Sequence, residues 1–249
     1  MSRFGSDVAA RPAPFMELFG CSGGEGLPAL RDLARQAVAH ALARAVAGCA
    51  PGDAAGKTPE PVAVDGTAGN GHDTLFLARL VGARGLVHAF DVQPRALART
   101  AERLATAGLE ERVALHGRGH EELAAALAAP LTAPPATPAT WPGGSGRPPR
   151  ITAAMFNLGF LPGSDRSVTT RPETTLTALE ALLPLMVPGG IVSLHVYAGH
   201  PGGADEAAAL DRRLAGLDWN RWRVARYEFT NKPRNPERLL LALRLPGPA

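Results

Sequence analysis

The chain has 249 residues, 45% of them hydrophobic and only 5% aromatic, which is apolar material for one α/β domain packed mainly with Ala, Leu and Val. Its net charge of +3 is mildly basic and suits a polyanionic partner without requiring one. Two cysteines, Cys21 and Cys49, supply neither a disulfide framework nor metal-ligand spacing, and no apolar run approaches the roughly 20 residues of a bilayer span, so a disulfide scaffold, a zinc module and a membrane protein are excluded and a cytoplasmic location is expected.

Residues 1–26 mix Gly, Pro, Ser and isolated aromatics without period and read as a disordered lead. From Leu27, apolar residues recur at three- and four-residue steps (Leu30, Leu33, Ala34, Ala37, Val38, Ala41, Leu42, Ala45), which predicts a helix, and a breaker-rich loop covers 48–60. A buried strand follows over 61–64 and a helix over 73–81. The next pair is a strand over 86–90 and a helix over 94–107, opened by a proline where a first turn favours one. A strand over 113–115 and a helix over 121–129 lead to a Pro-, Ala-, Thr- and Gly-rich stretch at 130–149. That stretch reads as either a surface insertion or a lid, and its place at the sheet end away from the strand C-termini favours the inert insertion. Beyond it come a strand over 151–156, a helix over 175–186 ended by Pro188-Gly189-Gly190, a strand over 191–197 and a helix over 204–217. Two last strands cover 223–229 and 239–245. Strands alternating with helices predict a parallel sheet covered on both faces, and the short link between the last two strands requires antiparallel pairing. The expected fold is α/β and Rossmann-like over residues 27–245, with a mostly parallel seven-stranded sheet, one antiparallel strand, and helices on both faces.

Three strand tips carry chemistry. Asp65-Gly66-Thr67-Ala68-Gly69-Asn70-Gly71-His72-Asp73-Thr74 ends the first strand in an acid, turns through glycines and opens a helix. A carboxylate there would repel a pyrophosphate and suit the amino group of S-adenosylmethionine; the alternative is a tight turn without ligand. Asp91, with Gln93 beside it, lies 20 residues beyond Gly71, where an acid accepts hydrogen bonds from both ribose hydroxyls. His120, after the third strand, either meets an adenine or simply begins a helix. Asn157-Leu158-Gly159-Phe160-Leu161-Pro162 follows the fourth strand. Asn157 and the carbonyls after it, beginning at Leu158, can hold an amine, and Phe160 can stack on a base. The bland reading is a Gly/Pro turn.

These stretches, together with Ser167-Val168-Thr169-Thr170, Thr174-Thr175, residues 197–203 with Glu206, residues 229–232, and Asn235-Pro236, resemble the rRNA methylase family of class I methyltransferases. Characterised members of that family are tRNA 5-aminomethyl-2-thiouridine methyltransferases. The resemblance implies S-adenosylmethionine as donor and, as substrate, the exocyclic amine of a wobble uridine in a tRNA anticodon stem-loop. It departs from the family at Gly66 (commonly Ala), Phe160 (usually Tyr) and Glu237 (commonly a second Pro). Pro162, Thr169, Thr170, Tyr197, His200, Gly202, Asn231, Lys232, Arg234 and Asn235 are the expected contacts to substrate and RNA, and a homodimer is left open. His200 either takes a proton from an incoming ammonium, contacts a phosphate, or is structural. The basic residues of the last third are either a solvated face or an RNA-backbone contact. No metal is indicated. Rival functions are a methyltransferase for rRNA or a small amine, a nicotinamide-dependent oxidoreductase, and a non-catalytic RNA-binding protein of the same fold.

Overall fold

The computed structural model describes residues 27–46, 60–128, 149–161, 163, 168–233 and 236–246. In chain order the elements are α1 (Leu30–Val46), β1 (Val62–Asp65), α2 (His72–Leu80), β2 (Leu86–Phe90), α3 (Pro94–Ala107), β3 (Val113–His116), α4 (Leu123–Ala128), β4 (Ile151–Leu158), α5 (Pro172–Leu182), β5 (Met186–Tyr197), α6 (Gly203–Ala215), β6 (Trp222–Glu228) and β7 (Glu237–Arg244). β1 and β2 are buried at every position because both faces of the sheet are covered, and their apolar residues, interrupted only by Asp65 and His88, reflect that. α3 starts on Pro94 and stops at Gly108, whose left-handed φ of 63° lets the cap N–H reach back to Leu104 and Ala105.

The strand order is β3-β2-β1-β4-β5-β7-β6. β1 to β5 pair in parallel, and β7 runs antiparallel to both β5 and β6, so the expected single reversed strand is present and lies next to the edge. One apolar layer joins α1, α2 and α3 to the sheet through Val38, Leu42, Leu77 and Leu104. The opposite layer joins α4, α5 and α6 through Leu123, Leu179, Leu182 and Leu210. The sheet changes winding direction between β1 and β4, and the C-terminal ends of those two strands border the crevice where this architecture accepts ligands.

Three elements depart most from the sequence reading. β4 continues to Leu158, so Asn157 belongs to the strand and not to the loop after it. α5 begins at Pro172 and ends at Leu182, followed by a 3-10 turn at Leu183–Leu185. β5 starts at Met186 and carries Pro188-Gly189-Gly190 as a bulge: its register jumps from Ile151↔Met186 to Ala153↔Ile191. Gly189, at φ 81°, supplies the conformation the bulge needs, so a proline–glycine pattern that reads as a helix stop is here part of a strand. The lead at 1–26, the two cysteines and residues 130–148 of the Pro-rich stretch lie outside the described residues. Among the described residues no helix is long and apolar enough to cross a membrane.

Candidate active site

The turn after β1 is built around Asp65. Its carboxylate accepts the Thr67 N–H (3.1 Å) through one oxygen and the Thr74 hydroxyl (2.6 Å) through the other. The side chain is wholly enclosed, and burial, with the Asp73 charge as the next cause, pushes the carboxyl up to about 7. The sequence reading set Asp65 against a ligand amino group, but the structure turns both oxygens onto the protein, so Asp65 shapes the turn from inside.

Thr67, Gly69 and Asn70 remain partly exposed along the turn. α3 clamps it from outside: Arg99 donates to Asn70 Oδ1 (2.8 Å), Arg103 to the Asn70 carbonyl (2.9 Å), and Thr100 to the Gly69 carbonyl (3.3 Å). Gly71, at φ 78°, passes so close to this helix that a Cβ would stand 2.8 Å from Thr100 Cα. His72 is exposed at the start of α2; desolvation first, then the charges of Arg103 and Arg35, hold its imidazole below the ordinary value.

At the tip of β2, Asp91 is half-buried and accepts the Gly69 N–H (2.8 Å) on one oxygen and the Gln93 N–H (2.9 Å) on the other. Each oxygen keeps a lone pair beyond these bonds, so the carboxylate can still accept from a vicinal diol. His120 takes the inward option. Its Nδ1 lies 3.1 Å from the Gly66 carbonyl, which can only accept, so that nitrogen carries the proton; its Nε2 lies 3.3 Å from Thr175 Oγ1. The one Thr175 proton goes to Glu206, so Nε2 receives no hydrogen bond from it; buried and held through Nδ1, His120 takes the structural option of the two readings. Thr175 and Thr170 both donate to the fully buried Glu206 of α6 (2.6 and 2.7 Å), which ties the β4 side of the crevice to α5 and α6.

Asn157 stands at the end of β4, beside the glycine turn. Its backbone N–H donates to Thr67 Oγ1 (2.7 Å) and its Nδ2 to Asp73 Oδ2 (2.8 Å). The other oxygen of Asp73 is held by Arg35 of α1 through two nitrogens at 2.9 and 2.6 Å. A carboxylate only accepts, so Asp73 fixes which way the amide points and leaves Asn157 Oδ1 without a partner among the described residues. Asp73 is therefore the support of Asn157, a role that its position next to the glycine turn did not reveal.

Leu158 buries its side chain, so only its backbone can serve a ligand. Phe160 is half-buried, bridges to Thr169 and stands edge-on to His200 with centroids 6.4 Å apart. Thr169 donates to the Gly159 carbonyl (3.0 Å), and Thr170 reaches Glu206 as described. The Nδ1 of His200 lies near the Pro201 carbonyl (3.0 Å) and Thr169 Oγ1 (3.3 Å), so the proton is there. Its Nε2 is enclosed with no hydrogen-bond partner among the described residues, and a Cβ on Gly203 would sit 2.9 Å from it. Gly202 and Asn231 are exposed, and Tyr197 is 40% exposed. Lys232 is paired with Glu237 at 2.5 Å. Pro162, Arg234 and Asn235 lie outside the described residues. Arg35, Glu206 and His195 (4% exposed, on Glu237 at 2.9 Å) are polar residues of this region that the sequence reading did not single out as site residues. Arg35 and His195 sit within apolar-patterned segments, and nothing in those patterns marks them.

Residues 87–243 match the family described as "Putative rRNA methylase". A chloroplastic tRNA (mnm(5)s(2)U34)-methyltransferase from Arabidopsis thaliana is 34% identical over 181 residues, covering 70% of this chain and 60% of that protein's length. A "putative rRNA-methylase" from Clostridium thermocellum is 35% identical, with TM-score 0.63 over 75% of this chain and 89% of that one. A "putative methyltransferase" from Streptococcus mutans, solved in complex with SAH, is 28% identical, with TM-score 0.66 over 88% of this chain and all of that one.

Proposed function

Because this chain belongs to the Putative rRNA methylase family, we propose that it is an S-adenosylmethionine-dependent methyltransferase acting on the exocyclic amine of 5-aminomethyl-(2-thio)uridine at the wobble position of tRNA. The observation that carries the reading is Asn157. Its amide nitrogen is spent on Asp73, its oxygen has no partner among the described residues, and it stands at the switch point of the sheet beside the glycine turn.

The residues present fit the donor. Asp91 keeps acceptor capacity for a ribose diol, and the turn at Thr67, Gly69, Asn70 and Gly71 leads into the free N–H groups of α2, with Gln93 flanking. Bound there, S-adenosylmethionine supplies an electrophilic methyl carbon on a sulfonium. Asn157 Oδ1 accepts a hydrogen bond from the incoming amine and orients its lone pair, with reacting atoms held about 3 to 3.5 Å apart. Phe160 offers a face for the uracil ring, and Thr169, Thr170, Gly202 and His200 line the same side. Asn231 and Lys232, with Pro162, Arg234 and Asn235, are the proposed RNA contacts. The Streptococcus mutans protein's complex with SAH supports the donor, and the Arabidopsis thaliana relative, a tRNA (mnm(5)s(2)U34)-methyltransferase, supports the substrate. An anticodon stem-loop as the docking element, a homodimer and a cytoplasmic location complete the proposal.

Incubating the protein with hypomodified tRNA and methyl-labelled donor, then identifying the labelled nucleoside by mass spectrometry, tests it. Label in 5-methylaminomethyl-2-thiouridine is the expected result. Label only in rRNA or in a free amine assigns the rival substrate, and no transfer to any of the three leaves a binding protein.

A further inference from the structure

An alkylammonium resembles a lysine, with a pKa of about 10.4, so only about one molecule in 10³ carries the reactive lone pair at pH 7. A site that methylates it gains from a group that draws the proton off. His200 keeps its lone pair enclosed, and Asn157 has no basic group, which directs attention to the tip of β5.

His195 and Tyr197 are two residues apart on one strand and so share a face. Asn157 shares it too, because Asn157 and His195 are register partners between β4 and β5. The two rings stack at 4.3 Å, and the Tyr197 hydroxyl lies 3.2 Å from His195 Nδ1. On the far side of the imidazole, Nε2 lies 2.9 Å from Glu237 Oε2 of β7, and Lys232 donates to the other Glu237 oxygen at 2.5 Å. Glu237 is ionised, since its contacts with Lys232 and His195 hold its carboxyl below the ordinary value against the opposing effect of burial. An ionised carboxylate only accepts, so Nε2 carries the proton and Nδ1 accepts from the phenol.

The chain is therefore oriented, with a sealed inner end at His195 and an open outer end at Tyr197, whose Cβ would lie 3.4 Å from a Cβ on Gly159. Burial lowers the imidazole and pushes the phenol up to about 12, so both rest neutral. The charged groups around them are Glu237 and Lys232 beside β7, Asp73 of α2 acting on both rings, and Arg31 of α1 acting on the phenol.

We propose that Tyr197, His195 and Glu237 form a phenol–imidazole–carboxylate relay that takes the proton from the ammonium substrate, an inference that rests on the function proposed above. One N–H bond of the ammonium breaks as its proton joins Tyr197 Oη. The phenol's own proton passes to His195 Nδ1, the substrate nitrogen keeps the electron pair, and the positive charge moves to an imidazolium beside Glu237. The proton leaves by the reverse path through the exposed phenol to water. Tyr197 is the catalytic residue of the three; His195 and Glu237 act through it.

Nitrogen-15 NMR of the free protein, with His195 assigned against a His195→Gln sample, reads the orientation without substrate. A proton on Nε2 is expected, and a proton on Nδ1 overturns the relay. Single-turnover methyl transfer to amine-bearing tRNA from pH 6 to 10 reads its action. Tyr197→Phe, His195→Gln and Glu237→Gln are each expected to be slower by about 10²-fold at pH 7. Each should recover toward the wild-type rate near pH 10, where the amine is neutral unaided, with SAH affinity unchanged by calorimetry. A deficit constant across pH, or no deficit, overturns the relay while leaving the function standing. Wild-type protein that transfers no methyl at any pH overturns the parent function, and the relay's action with it.

Discussion

Asn157 presents an oxygen because Asp73 holds its nitrogen, and Asp73 is fixed because Arg35 holds its other side. Asn157→Ala removes the acceptor and leaves Asp91 and the glycine turn intact. Its expected effect is a fall of about 10²-fold in single-turnover rate, the scale of a misplaced reactant, with the SAH dissociation constant unchanged in calorimetry. A rate equal to wild type takes Asn157 out of the chemistry.

Asp65 makes a different kind of prediction. Its carboxyl titrates near 7 in the fold against 3.8 ordinarily, so the folded state binds the proton more tightly. The stabilisation is complete below the ordinary value and is lost as pH rises from about 4 toward about 7. Asp65→Asn abolishes that slope, so urea melts should show the variant gaining on wild type across this window, by on the order of 1 to 4 kcal/mol. Parallel curves would mean that the carboxyl is not held protonated.

The β1–α2 turn depends on the approach of α3 as much as on its own glycines. Gly71 combines a φ of 78° with a backbone neighbour, Thr100 Cα, where a Cβ would go, and neither can be relieved by a rotamer change. Gly71→Ala is therefore expected to cost about 1 to 3 kcal/mol and to lower Tm, and to weaken SAH binding because Gly69 and Asn70 move with it. Unchanged Tm and affinity would show that the turn tolerates displacement. The bulge in β5 works in the same register of effects. Pro188 and Gly189 cost strand regularity, and in exchange the residues after the bulge align Asn157 with His195 and Leu158 with Val196.

Across the molecule, the two faces of the sheet divide the labour. α1, α2 and α3 cover the face that carries Asn157, His195 and Tyr197 at its edge; α4, α5 and α6 cover the other and connect to the crevice through Glu206. A second titration acts on the whole fold from the β2–β3 side. His88 and His116 lie 3.0 Å apart, and burial first, then the neighbouring charge, lowers them to about 3 and about 4. Groups held neutral in this way stabilise the fold above their ordinary 6.5, and that stabilisation is lost as pH falls through the folded values, opposite in direction to Asp65. Wild-type Tm should drop as pH falls from about 6.5 to 4, and His88→Leu should flatten the drop; an equally steep loss would place the acid sensitivity elsewhere.

Strand and helix identity, the antiparallel close of the sheet, the glycine turn and the placing of Asp65, Asp91 and Asn157 at or just past strand ends were legible in the chain, because each depends on residues within a few positions of one another. Period and turn chemistry encode such features directly. The inward turn of His120, the service of Asp73 to Asn157 and the pairing of His195 with Glu237 were not. These contacts join residues 54, 84 and 42 positions apart, and they exist only once the sheet forms and sets the segment after β3 and the start of α2 against its strand ends, and β5 beside β7. Local pattern specifies which elements form; the direction in which a buried polar side chain spends its hydrogen bonds follows from what packing sets beside it.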